Sequence, residues 1–106
     1  MNDNRLIALF MDGACERYSR IHPSFQSQYQ NSWDSLMPVI EAINDYRNMD
    51  GDLLYGVEID EFSCMIKRGL HTAIIVDRSQ AINLREMIYL AVVEFAKRFH
   101  ENGLSL

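Results

Sequence analysis

The segment running from Asn83 to Gly103 (NLREMIYLAVVEFAKRFHENG) constrains this chain more than any other. Leu84, Met87, Ile88, Ala91, Val92, Phe95 and Phe99 recur at helical spacing and form a wide apolar face. Asn83 stands three residues before Glu86, a capping-box arrangement. Lys97, Arg98 and His100 lie near the C-terminal end, where positive charge suits the helix dipole, and Gly103 supplies a stop. An amphipathic helix of this width must cover a sheet or other helices. The rest of the chain has to provide them.

The preceding residues read as strands. Val57 and Ile59 point inward at odd positions, and Phe62, Cys64 and Ile66 at even ones. The parity changes across Asp60-Glu61. A two-residue turn there would set Ile59 opposite Phe62; a bulge in one long strand is the competing reading. Lys67-Arg68-Gly69 marks the next turn. Thr72 to Asp77 (TAIIVD) is apolar on both parities between Ala73 and Val76, which predicts a strand covered on both faces. Met49-Asp50-Gly51-Asp52 is a turn upstream of the strands.

Two helices come first. Asp3 to Met11 carries Leu6, Ile7 and Phe10 on one side, with Gly13 as its expected end. A second helix starts between Ser32 and Ser35 and runs to about Asn48. Leu36, Val39, Ile40 and Ile43 form its stripe, and Glu41, Asn44 and Asp45 face out. With Ser35 as N-cap, Pro38 falls in the first turn; with Ser32 or Asn31 it lies deeper and removes a helical hydrogen bond. Residues 12–31 between the helices read as a long irregular connection with aromatic anchors Tyr18, Phe25 and Tyr29. The order α-α-β-β-β-α in 106 residues predicts one α+β domain, 1–106, with a three-stranded antiparallel sheet packed by helices.

Composition narrows the function classes. Hydrophobic residues make up 48% and charged ones 24%, an ordinary globular mix. A net charge of -5 and a pI near 5.0 argue against a chain built to grip nucleic acid. The apolar run near the N-terminus is too short for an export signal or a membrane span. With two cysteines, Cys15 and Cys64, a reducing cytoplasmic setting is the simplest reading.

Catalytic and cofactor motifs fail on inspection. Aligning Gly51 with the glycine of a calcium loop puts Tyr46 and Val57 at ligand positions, and neither can ligate calcium. No phosphate-binding or dinucleotide glycine pattern is present, and His22, His71 and His100 lack metal-ligand spacing. No cofactor is implied. Cys64 could act as a nucleophile, but its place beside Phe62 and Ile66 fits a small buried hydrophobe. Asp50, Asp52, Glu58, Asp60 and Glu61 form an acidic cluster that reads either as a solvated face or as an inhibitory or nucleic-acid-mimicking surface. Trp33 reads as a packing anchor rather than a stacking platform.

Two stretches, YQNSWDSLMPVIEAI (Tyr29 to Ile43) and LREMIYLAVVEFAKRFHENG, are together similar to a group of small uncharacterised proteins encoded by bacteriophages and prophage-bearing bacteria. That group pairs a Ser-Trp-Asp…Met-Pro-Val-[Val/Ile]-Glu motif with a Leu-Ala-Val-Val-Glu-Phe helix. LIALFM and VEIDEFSCMI fit the same pattern, whereas Ser35 and Arg98 stand where aromatic residues are expected. The layout also resembles the phage "ABA sandwich" domain, which implies an antiparallel sheet between helical layers, an α/β/α sandwich. The resemblance implies no activity. The resulting expectation is a non-enzymatic cytoplasmic accessory protein that binds a protein partner or itself, with Tyr18, Phe25 and Tyr29 as the candidate contact surface. The acidic-face inhibitor is the alternative, and a small enzyme the third reading.

Overall fold

The computed structural model describes residues 3–18, 29, 32–46 and 51–102, with backbone alone for 13–18 and 102. Helix α1 spans Asp3–Tyr18, α2 spans Trp33–Asn44, and α3 spans Leu84–Asn102. Strands β1 (Tyr55–Ile59), β2 (Ser63–Arg68) and β3 (His71–Asp77) form an antiparallel sheet in the order β1-β2-β3. A single 3-10 turn, Arg78–Gln80, joins β3 to α3. This is the expected α+β order.

One core joins the three helices to one face of the sheet. Leu6, Ile7, Phe10 and Met11 of α1 meet Leu36, Val39, Ile40 and Ile43 of α2, and Met87, Ile88, Ala91, Val92, Phe95 and Ala96 of α3. The sheet contributes Tyr55, Cys64, Ile66, Ile74 and Val76. Aromatic rings fill the junction. Phe95 lies edge-on to Phe10 at 5.1 Å and to Tyr55 at 5.0 Å between centroids, and Phe99 lies edge-on to Phe10 and Tyr46. These are favoured arrangements for ring quadrupoles. The Tyr89 hydroxyl donates to Asn4 Oδ1 at 2.9 Å and ties α3 to the start of α1.

Among the described residues, the opposite face of the sheet is left open. Burial alternates along β3, with Ile74 and Val76 buried and Ile75 60% exposed. Glu58, Met65 and Lys67 share that outer face with Ile75. The expectation of a doubly covered β3 therefore fails, and among the described residues no helix makes the second layer of a sandwich. The apolar run misled because Ile75 is a β-branched residue on a pleated outer face, where such residues are tolerated singly.

Several boundaries differ from the sequence expectations. Helix α1 passes through Gly13 and ends at Tyr18; an interior glycine costs roughly 1 kcal/mol relative to Ala without breaking a helix. Residues 12–18 are consequently helix rather than connection. Ser32 takes the N-cap position of α2 with extended backbone, and its carbonyl, not its hydroxyl, meets the first turn through Ser35 N–H and Leu36 N–H. Pro38 therefore sits inside the helix. Asp34, whose carbonyl loses its partner, lies on the exposed side, so water can satisfy it. The helix stops at Asn44 instead of Asn48, and its C-cap Asp45 N–H donates to Glu41 O at 2.9 Å. Asn44 was expected to face out. Instead its Oδ1 accepts the Val57 N–H at 2.8 Å and pins α2 to β1. Trp33 is 38% exposed beside Met37 on α2 and lies outside the buried core, so it is at most a partly covered anchor.

The turn at Gly69 is as expected. Arg68 pairs with His71, which leaves Gly69-Leu70 as a two-residue connection, and Gly69 has φ 63°, a conformation that favours glycine. At α3, Asn83 Oδ1 accepts Glu86 N–H at 2.8 Å. The Glu86 carboxylate reaches back one residue further than the capping-box pattern implies, to Ile82 N–H at 3.3 Å. Gly103, the expected stop, lies outside the described residues. No helix among the described residues is long and apolar enough to cross a membrane.

Candidate functional site

The β1–β2 hairpin does not turn where its parity change suggests. Ile59 pairs with Cys64, and Asp60 N–H donates to Ser63 O at 3.0 Å, so the turn residues are Glu61 and Phe62. Moving the turn by one residue shifts the pairing by two and leaves every side chain on its own face. That is why the strand parities were legible while the turn was misplaced. The consequence falls on Phe62. It leaves the inward row, stands at the hairpin tip and is 69% exposed.

The tip is tied from both sides. Asp60 Oδ1 accepts Phe62 N–H at 2.7 Å and Ser63 N–H at 2.8 Å, an Asx-type turn in which a carboxylate replaces a backbone acceptor. The Phe62 carbonyl in turn accepts Arg78 N–H at 2.7 Å from the 3-10 turn after β3. Both backbone polar groups of Phe62 are thus engaged while its ring projects into solvent. The two backbone N–H groups hold the Asp60 carboxyl below the usual carboxylate range. Ile59 (39% exposed) closes β1 at this end of the sheet, with acidic Glu61 in the turn and Asp77 paired with Ser63.

The sequence-derived candidates distribute differently. Tyr29 is fully buried and belongs to the core, so it is withdrawn from the contact surface. Tyr18 closes α1 with its side chain undescribed, and Phe25 lies outside the described residues. Of the acidic cluster, Asp50 also lies outside them. Glu58 is bound to Lys67 at 3.0 Å, Asp60 is spent on the turn, and Asp52 and Glu61 are exposed. Glu58 and Asp60 therefore form no carboxylate pair aimed at a ligand.

Cys64 is completely buried between the sheet and the helices, and burial pushes its thiol up to about 11. Burial of this kind keeps the thiol neutral at physiological pH and packs it as a core side chain. His71 and His100 are exposed, and among the described residues no group of three His, Cys, Asp or Glu side chains could hold a metal. A small apolar dimple between α1 and α3 is lined by Leu6, Leu9, Phe10, Ala96, Phe99 and His100. It holds no convergent set of polar groups. Compared with known proteins, the chain matches no protein-family model, no curated protein and no solved structure.

The exposed aromatic at the tip escaped sequence reading because Phe62 fits the even-position row with Cys64 and Ile66. The signal that could have found it is Asp60 placed three residues before Ser63, a spacing that allows a side-chain-closed turn.

Proposed function

We propose that this chain is a small phage-type accessory protein of the cytoplasm, non-enzymatic, that binds a protein partner through the β1–β2 hairpin tip. One observation carries the reading: Phe62 is a large exposed aromatic on a backbone tied at both its N–H and its C=O. Interface energy concentrates in a few aromatic anchors that enter pockets, and an anchor held in place before binding loses little conformational entropy. The fitting partner surface is an apolar pocket with a basic rim, because Glu61 and Asp77 flank the anchor and the chain carries a net charge of -5.

Crosslinking in the native host tests this. A photoreactive phenylalanine analogue at position 62 is expected to give a discrete adduct, while the same analogue at Glu101 gives none. An adduct of twice the chain mass would identify the partner as a second copy. Adducts at neither position, or at both equally, would contradict the assignment. Phe62→Ala should abolish the interaction and leave stability within about 0.5 kcal/mol, as for a surface substitution.

A further inference from the structure

Both edges of a three-stranded sheet expose backbone groups that can pair with another chain, and here side chains occupy three of them. Asp60 N–H donates to Ser63 O, and bonded pairs alternate along an antiparallel ladder. Glu58↔Met65 and Gly56↔Lys67 are then the bonded pairs of β1 and β2, and Val57 turns its N–H to the outer edge. The Asn44 carbonyl oxygen takes that N–H at 2.8 Å, which confirms the alternation independently.

The same alternation leaves Cys64 and Ile66 of β2 to bond Val76 and Ile74 of β3. Ile75 and Asp77 therefore turn their backbone groups to the free edge of β3. Ala73 sits at the register shift opposite Ile66/Lys67, as the extra residue of a bulge. Two of these groups are capped. Gln80 Oε1 accepts Asp77 N–H at 2.8 Å, and the Arg98 guanidinium, itself held by Glu94 at 3.0 Å, donates to the Ala73 carbonyl. Between the caps lies the strand edge at Ile75, whose side chain points to the outer face and is 60% exposed; on the inner side this edge is bordered by Leu90, Val93 and Lys97 of α3.

We infer that Arg98 and Gln80 are edge guards that keep β3 from pairing with β3 of a second copy of this chain. TAIIVD is a β-prone, nearly uncharged six-residue run on an edge strand, the kind of segment that recruits identical strands. Two copies related by a two-fold axis at Ile75 would exchange N–H···O=C bonds at Ile75. The next bonded positions would set Ala73 of one copy against Asp77 of the other, and both are already occupied. Strand addition has to displace two caps on each chain. This goes beyond the partner contact proposed at Phe62, which uses a side chain and leaves the edges closed.

The test is the mass in solution of Arg98→Met/Gln80→Ala, which removes both caps while keeping an aliphatic stem beside the strand edge. Light scattering should give one chain for the wild type and two or more for the double variant. Gln80→Ala alone, far from the core, should shift in the same direction to a smaller extent. Adding Ile75→Lys to the double variant places a charge on the edge and should restore one chain. A double variant that remains one chain overturns the inference. So does an association that survives Ile75→Lys, because it would not run through β3.

Discussion

Phe95→Ala is expected to lower stability by about 3–5 kcal/mol, against a total of about 5–15 for a domain of this kind. Phe95 is completely buried where α1, α3 and β1 converge, with Phe10 and Tyr55 edge-on to its ring and Phe99 stacked at 5.7 Å. Truncation removes its own transfer energy and strands three aromatic neighbours around a cavity that the rigid sheet cannot close. The variant should be marginally folded or unfolded at physiological temperature. Glu101→Ala, on the exposed side of the same helix, should stay within about 0.5 kcal/mol. Chemical denaturation of both variants makes the comparison; equal midpoints would mean that α3 does not close the core.

The second large effect separates the two faces of the sheet. Ile66 on β2 is fully buried, and Ile75 on the neighbouring β3 is 60% exposed on the opposite face. Ile66→Ala should cost about 2–5 kcal/mol from lost burial plus a cavity. Ile75→Ala should cost less than about 0.5 kcal/mol as a surface substitution. Both residues are isoleucines in strands, so propensity nearly cancels and burial decides. Similar losses at the two sites would show that the outer face is covered and that the sheet has helices on both sides.

Periodicity made much of this fold legible. The α3 stripe, the stripe of α2, and Val57, Cys64 and Ile66 of the strands lie on the faces where spacing placed them, because a single covered face leaves a regular pattern; Ile59 and Phe62, at the hairpin end, do not stay buried. The failures have separate causes. Gly13 does not stop α1, since a helix buried through Leu6, Ile7, Phe10 and Met11 absorbs the local penalty of one glycine. Tyr29 is buried although it stands outside any periodic run, and Trp33 is part-exposed because it opens α2 at the margin of that helix's buried stripe. The candidate site was the least legible part. Exposure of Phe62 depends on a two-residue shift in pairing that conserves every face, so no hydrophobic pattern can report it. Arg98 and Gln80 act on the sheet through single hydrogen bonds to backbone groups, which have no sequence identity to recognise.

A hairpin tip tied through Asp60 and Arg78 should hold the Phe62 backbone rigid while its ring stands in solvent. Backbone amide relaxation at Phe62 and Ser63 measures this directly. With Asp60 and Arg78 engaged as observed, the order parameters should match those of β2, near 0.85. Values below about 0.6, those of a flexible loop, would contradict a pre-formed anchor.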